Sequence, residues 1–545
     1  MKGCGALKRL PVGIQNFREI VEDNHVYVDK TMFIHHLIEN GKCYFLSRPR
    51  RFGKSLLLDT IGEVFKGSKE LFKGLWIYDS GYDFKSYPVI KLDMSSVTAE
   101  TPEIFKKSLT KELMDCLQQE DFPTSDDSPP DLLKELIKRL HSKYKQKVVV
   151  LIDEYDKPIL DHITDFMKAD ANRSILRDFF GILKSLDSLI KFIFFTGVSK
   201  FTKTSVFSSL NNLTDITMID KYANICGIPV DDLETFFGDR LKDLSEHSSF
   251  SQYPCLRGLI LKWYDGYSWD GKTKLLNPFG LLSFFQVEQL KSFWYVSGSP
   301  KFLIDLIKNK PECVPNLNNL SITEPDLDAI DIGNLEVASL LFQSGYLTVE
   351  KIIPVEPELD TPQSYILKIP NTEVRQAFFN QLTAGLTENE HIFTTSTFRQ
   401  IQIALKDGDL QSILNSLKSL FSSIPYQLHV NAEAYYHSIF YAIMTVLGFK
   451  IDAEVSVSKG RIDAVLEYKE KIYVFEFKFC KCPSDSNDVE KKKVADKALE
   501  LGMKQLSERG YADKYKGSGK TVYLAAFAFL GRDSVEMLYE TIQVV

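Results

Sequence analysis

The sequence predicts an α/β fold: a parallel sheet with interleaved helices, a helical and winged-helix-like middle region, and a smaller α/β module at the C-terminal end. Three observations lead there. Apolar runs alternate with helical stretches through the first 220 or so residues, the pattern of a parallel sheet with crossover helices. The stretch Phe45 to Ser55 reads as an apolar strand, a loop, and Gly-Lys-Ser opening a helix. Near the end of the chain, two apolar strands carry two acids and a lysine at the spacing D-x12-E-x-K.

The 545 residues suggest about three to four domains at ~150 residues each. Hydrophobic residues at 44% and charged residues at 26% are ordinary for a chain that buries real cores. The net charge of -7 excludes a globally basic nucleic-acid binder but leaves room for a local basic groove. Eight scattered cysteines are too few for a disulfide scaffold, and the close pair Cys480 and Cys482 has no second cluster to complete a zinc site. No apolar leader follows the basic residues of the N-terminus, and the longest apolar run, Val522 to Leu530, is too short to span a bilayer. A cytoplasmic protein without membrane contact is expected.

In the first part, strands are expected at Cys43 to Ser47, Val89 to Asp93, Val148 to Asp153 and Phe192 to Gly197. Helices are expected at Leu56 to Phe65, Ile104 to Gln119 and Leu132 to Tyr144, with a surface loop at Asp121 to Asp131. Phe45 to Ser55, FLSRPRRFGKS, has the context of a phosphate-binding loop. Gly53 allows close backbone approach, Lys54 reaches the β- and γ-phosphates, and Ser55 offers its hydroxyl to Mg²⁺. The helix N-terminus adds amide donors. Arg48 stands where GxxxxGK[ST] has its first glycine. Arg48, Arg50 and Arg51 face two readings, contact with phosphate or a neighbouring subunit, or solvated loop arginines.

Val148 to Glu154 is an apolar strand ending in two carboxylates, a partner for that loop. Asp153 would hold Mg²⁺ through water, and Glu154 would orient or deprotonate the attacking water. The strand order fits a sheet in which an extra strand separates these two. A polar residue at the end of the next strand, Phe192 to Gly197, would sense the γ-phosphate, with Thr196 preferred over Ser199.

Past about Thr217 the pattern shifts to short helices and turns. Val337 to Gln343 reads as a helix, a turn follows at Ser344-Gly345, and strands from Tyr346 and over Tyr365 to Ile369 would close a small winged-helix-like hairpin. Glu388 to Ile424 looks all-helical, with Ile401, Leu405, Ile413, Leu417 and Leu420 on one apolar face. The last module, from Ala432, follows the order helix, strand, strand, helix, strand.

In that module, a hairpin symmetric about Lys469-Glu470 places Asp463 opposite Glu476, and alternation puts Lys478 on the face of Glu476. Two carboxylates this close in an apolar environment call for a cation, and Mg²⁺ is the natural one. Lys478 would orient or help deprotonate a water for attack on a phosphodiester. Glu433 on the preceding helix would add a third acid, and Gln505 on the following helix would orient the lysine or the water. Exposed cross-strand salt bridges are the plainer alternative. Lys491, Lys492 and Lys493 would line a DNA path or simply open a solvated helix.

On these residues two resemblances stand. Leu10-Pro11-Val12-Gly13, Tyr27 to Thr31, Arg48 to Ser55, Leu151 to Asp156 and Phe195 to Lys200 resemble the AAA-ATPase-like domain of a large group of proteins. Tyr264 to Tyr267, Leu276-Asn277-Pro278 and Trp294 to Leu303 look like the helical extension of the same family. The last 115 or so residues resemble the PD-(D/E)XK nuclease superfamily, with Glu433, Asp463, Glu476, Lys478 and Gln505 at its motif positions and Ile462 where a proline often sits.

The resemblance implies a P-loop NTPase domain at 1–220, a helical extension with a winged-helix-like part at 221–387, a helical linker at 388–430, and an α/β restriction-endonuclease-like domain at 431–545. It implies ATP and Mg²⁺ as cofactors. Arg50, Arg51, Phe52, Gly53, Lys54, Ser55, Asp153 and Thr196 would be nucleotide-binding residues. Ser55, Asp153, Glu433, Asp463 and Glu476 would be metal ligands, and Glu154, Asp463, Glu476, Lys478 and Gln505 catalytic. The expected partner is nucleic acid, DNA ahead of RNA, and a homo-oligomer is open. The first hypothesis is an ATP-regulated, Mg²⁺-dependent nuclease. The alternative is a nucleotide-dependent switch or assembly module whose nuclease fold only binds nucleic acid or a protein partner.

Overall fold

The alternating apolar runs of the first part build a five-stranded parallel sheet. A computed structural model of the chain describes residues 7–201, 206–247, 249–296, 307, 317, 320–328, 330, 336–355, 362–387, 396–422, 433–447, 449–457, 460–480, 487–508, 519–530 and 535–543. The chain forms two compact units, Met1–Ser299 with Leu320–Glu373, and Pro300–Asn319 with Val374–Val545.

In the first unit the principal elements are β1 (Cys43–Ser47), α1 (Lys54–Phe65), β2 (Val89–Asp93), α2 (Pro102–Gln119), α3 (Pro129–Tyr144), β3 (Val148–Asp153), α4 (Phe166–Ser185), β4 (Ile190–Gly197) and β5 (Thr214–Asp215). The sheet order is β2-β3-β4-β1-β5, with every pair parallel. All residues of β1 and β3 are buried, as expected for strands covered on both faces. β4 lies between β1 and β3, so the extra strand separates the Gly-Lys-Ser strand from the Asp153 strand, as the sequence suggested. The register aligns Leu46 with Thr196 and Ile152 with Phe195, which brings the C-terminal ends of three strands together. Ligands of open α/β sheets bind at that edge.

The rest of this unit includes α5 (Asp232–His247), α6 (Leu256–Tyr264), α7 (Pro278–Val287), α8 (Phe293–Val296), β6 (Leu320–Thr323), α9 (Val337–Ser344), β7 (Thr348–Ile353) and β8 (Ser364–Lys368). The expectation of short helices throughout is corrected at α5, 16 residues long, whose Leu233, Phe237, Leu241 and Leu244 recur at helical spacing into a core with Phe284 and Phe285. The expected helix, turn and hairpin near 337–369 is present. Gly345 ends α9 in the left-handed region (φ 91°), and β7 and β8 pair antiparallel. β6 adds a third strand on the outer side of β8, one the sequence reading did not anticipate.

The second unit contains α10 (Thr372–Thr387, whose first two residues belong to the first unit), α11 (Ser396–Asp407), α12 (Leu410–Ser422), α13 (Glu433–Val446), β9 (Lys450–Val457), β10 (Gly460–Tyr468), β11 (Lys471–Phe479), α14 (Asp488–Glu508), β12 (Thr521–Phe529) and β13 (Val535–Gln543). Ile401, Leu405, Ile413, Leu417 and Leu420 are buried, so the apolar face read from α11 and α12 is a core face. Of the expected helical stretch, 388–395 and 423–424 lie outside the described residues.

The C-terminal sheet runs β9-β10-β11-β12-β13, antiparallel except for the parallel pair β11 and β12. Two of its strands, β9 and β13, were absent from the sequence reading. They are the two edges of the sheet, β9 beside the motif strand β10 and β13 beside β12, and the alternation Ile451, Ala453, Val455, Val457 was there to be read. No helix among the described residues is long and apolar enough to cross a membrane.

Candidate functional sites

The first site gathers where β1, β3 and β4 end. A cleft of about 460 Å³ is lined by Gly13, Arg50, Arg51, Gly53, Lys54, Ser55, Glu154, Lys157 and Asp161, among others. Four cations against two acids make it a home for a polyanion. Gly53, in the left-handed region at φ 93°, caps α1, whose N-terminus opens there. The Lys54 ammonium is nearly buried and donates to the carbonyl oxygens of Arg48 (2.9 Å) and Pro49 (3.1 Å).

Two of the loop residues behave differently from the expectation. Arg48 is fully buried, donating to the carbonyls of Ser47, Thr217 and Tyr222, with its guanidinium 4.0 Å from the Trp269 ring centre. Burial pulls its pKa down to about 10. It is a structural cation, and none of its expected roles, contact with phosphate or a neighbouring subunit or a solvated loop position, fits a side chain buried this fully. The Phe52 ring packs edge-on against Tyr267 and Trp269, so its side chain belongs to an aromatic core. The preceding Arg51 is exposed, at φ 62° and 5.0 Å from the Phe279 ring.

Across the cleft, Asp153 is buried and accepts from the Thr196 hydroxyl and from the Glu154 N–H (3.1 Å). Thr196, rather than Ser199, is thus the residue at the end of β4 that touches the Asp153 carboxylate. Glu154 adopts φ 48°, a costly conformation for a residue with a Cβ, and lines the cleft.

Sequence reasoning passed over Asp156. Its buried carboxylate accepts the N–H groups of Val198 (3.0 Å) and Ser199 (2.6 Å), tying the segment after β4 to the segment after β3. Burial, with the Glu154 charge adding to it, pushes Asp156 up to about 7. The third acid of Asp153-Glu154-Tyr155-Asp156 was the available signal. Gly197 is required there, because a Cβ would stand 2.7 Å from the Tyr155 ring and 2.8 Å from the Asp156 carboxylate.

A narrower apolar slot of about 90 Å³ adjoins the cleft and shares Pro11, Gly53, Leu56, Pro278 and Leu282 with it. Tyr27, Phe52, Leu57, Cys226 and Lys30 also line it, and burial pulls the Lys30 ammonium down to about 8.

The second site lies on β10, β11 and α14. The hairpin register pairs Ala464 with Phe475 and Tyr468 with Lys471, the symmetric pairing expected around Lys469-Glu470. At the next step the Asp463 carboxylate itself accepts the Phe477 N–H at 2.7 Å, so this acid lies against the backbone beside Glu476. Glu476 is fully buried and Lys478 donates to it at 2.7 Å, one strand period apart on the same face. Ala526 and Ala528 of β12 stand beside Glu476 and Lys478. Gly502 of α14 packs over the same place: a Cβ there would meet the Ala526 Cβ at 2.8 Å and lie 3.8 Å from Cγ of both Glu476 and Lys478. Gln505, half-buried, follows one turn later on the same side of α14.

Glu433 opens α13, and its side chain, like Cys482, lies outside the described residues. Among the described residues no group of three His, Cys, Asp or Glu side chains gathers at one point. Lys491 and Lys492 line a groove of about 670 Å³ together with Asp488, Asp496, Glu500 and Glu536, so that groove is not a basic track.

Comparison with known proteins matches residues 11–207 to a family model described as "Predicted AAA-ATPase" and residues 431–537 to one described as "PD-(D/E)XK nuclease superfamily". An "Uncharacterized protein in vnfD 5'region" of Azotobacter chroococcum mcd 1 is 35% identical over 544 residues, covering 97% of each chain.

Proposed function

Because the chain belongs to the family of AAA-ATPase-like proteins with a C-terminal PD-(D/E)XK nuclease superfamily domain, we propose that it hydrolyses ATP at the first site and cuts nucleic acid, DNA ahead of RNA, at the second. The observation that carries the nuclease reading is the meeting of Asp463 with the backbone at Phe477 beside the buried Glu476–Lys478 pair. A structural salt bridge gains little by being buried, whereas a hard divalent ion needs oxygen donors held in this way.

At the first site, Lys54 exchanges its carbonyl partners for β- and γ-phosphate oxygens. Arg50 and Arg51 supply further positive charge, and the Gly53 backbone with the α1 N-terminus supplies amide donors. Ser55 and Asp153 would hold Mg²⁺, and Thr196 keeps the Asp153 carboxylate in place. Glu154 orients the attacking water and takes its proton, and Thr196 reads the γ-phosphate. The adjoining apolar slot takes the base.

At the second site the oxygen donors Asp463 and Glu476, with Glu433 as the third acid, suit Mg²⁺. Bound there, the ion would supply Lewis-acid stabilisation of charge on the phosphodiester. Lys478 orients the attacking water and assists its deprotonation, and Gln505 positions Lys478.

The test is a cleavage assay on linear and circular DNA and on RNA with Mg²⁺. The parent is expected to cut DNA, and Asp463→Ala and Lys478→Ala are expected to lose between about 100- and 10,000-fold with ATP hydrolysis unchanged. Variants that cut like the parent would show that the site is not catalytic.

A further inference from the structure

The phosphate loop lacks its first glycine, yet every residue from Arg48 to Phe52 is gripped by the segment between Gly227 and Gly345. The Arg48 guanidinium lies 4.0 Å from the Trp269 ring centre. Pro49 packs on Gly345, where a Cβ would come within 2.6 Å of the proline ring. The Arg50 carbonyl accepts the Trp294 indole N–H at 2.9 Å. Arg51 stands over Phe279, and the Phe52 ring sits against Tyr267 and Trp269 while its carbonyl accepts the Gly227 N–H at 3.2 Å.

Two of these contacts seize carbonyl oxygens. In a trans peptide the C=O and the following N–H point in opposite directions, so fixing the Arg50 and Phe52 carbonyls also fixes the aim of the Arg51 and Gly53 N–H groups. Arg51 and Gly53 both line the cleft.

We propose that the loop is shaped as a phosphate cradle from outside, by this clamp, and that Trp294 is its positioning residue. The inference rests on the reading of this cleft as a nucleotide site. Glycine-rich loops reach a phosphate-binding shape by backbone freedom. Here the shape is imposed by packing, which removes the need for a glycine at Arg48. Trp294 is itself held, since its backbone N–H donates to the buried Glu373 carboxylate at 2.7 Å and its ring packs on Tyr346 just after α9. By linkage, phosphate that favours the gripped loop stabilises the grip equally, so occupancy of the cleft is felt at α8, α9 and the β7–β8 hairpin.

The experiment measures binding of ATP and of inorganic tripolyphosphate to the full chain by calorimetry. Trp294→Phe keeps an aromatic ring at the position and removes the donor to Arg50. It is expected to weaken both ligands about tenfold and in parallel, the scale of one well-placed hydrogen bond. Gly345→Ala, which drives a Cβ into Pro49, is expected to do the same. Gly74→Ala is the control: at φ 83° it carries the same backbone strain, but a Cβ there meets nothing within 4 Å, and its affinities should stay within about twofold of the parent. If the parent binds both ligands and Trp294→Phe binds them equally well, the clamp is overturned while the nucleotide site stands. If the parent binds neither, the nucleotide reading itself fails. Should Gly345→Ala not fold, Trp294→Phe decides alone.

Discussion

The two sites are built in opposite ways. The carboxylate–lysine site draws Asp463, Glu476 and Lys478 from one hairpin, whose register fixes their neighbourhood, and one glycine lets a helix close over them. The cleft proposed to hold nucleotide draws on three strand ends, a loop without the usual first glycine, and contacts from residues hundreds of positions later. A hairpin site is local and stands or falls with a few side chains. A cleft assembled from distant segments spreads its geometry over many contacts, so single changes there should misplace groups before they destroy the fold.

The largest expected effect tests whether the cleft has one decisive group all the same. Glu154→Gln keeps the shape of the side chain at φ 48° and removes its basicity. ATP turnover should fall about 100- to 1,000-fold, with ATP affinity retained, as measured by phosphate release and direct binding. Hydrolysis at the parental rate would mean that the water is activated elsewhere.

An intermediate effect probes how tightly the hairpin site is covered. Alanine in place of a mid-helix glycine normally gains about 1 kcal/mol. At Gly502 the new Cβ would lie 2.8 Å from the Ala526 Cβ, and overpacking costs about 1–3 kcal/mol, so the clash should win. Gly502→Ala is expected to be less stable in denaturant unfolding and to cleave about tenfold more slowly, with ATP hydrolysis unaffected. A more stable variant would place α14 farther from the site than the contacts imply.

The smallest effect concerns Glu373, which burial pushes up to about 8. One of its carboxylate oxygens accepts the Trp294 N–H, and the other has no hydrogen-bond partner among the described residues. An unfolded glutamate titrates near 4.3, so between about 4.3 and 8 the native state holds the extra proton. Stability therefore falls as pH rises through that window. Glu373→Gln lacks this loss, so its melting temperature relative to the parent should climb from pH 5 to pH 9. A constant offset would mean that Glu373 is ionised in the folded chain throughout.

Much of the hairpin site was legible because alternation and a symmetric turn are local rules: Asp463, Glu476 and Lys478 follow from a period of two. The parallel sheet was legible too, since long apolar runs such as Val148–Asp153 suit strands buried on both faces, although its fifth strand, β5, was not expected. The edge strands β9 and β13 lay outside the expectation, although β9 alternates Ile451, Ala453, Val455 and Val457 with Asp452, Glu454 and Ser456. The third acid of Asp153-Glu154-Tyr155-Asp156 was visible, but what Asp156 does was not. Its role exists only against Val198 and Ser199, and nothing in its own neighbourhood announces them.

By itself, then, the sequence determined the two α/β modules, the Gly-Lys-Ser helix start, the paired acids after β3 and the face shared by Glu476 and Lys478, all products of short-range periodicity. Only the tertiary structure decided that Arg48 is a buried prop, that Phe52 is core, and that Trp294 and Gly345 hold the loop. The reason is physical: whether an arginine meets phosphate, solvent or a tryptophan ring depends on what packs against it. Those partners, Trp269 and Thr217 among them, lie too far along the chain for any local pattern to foretell.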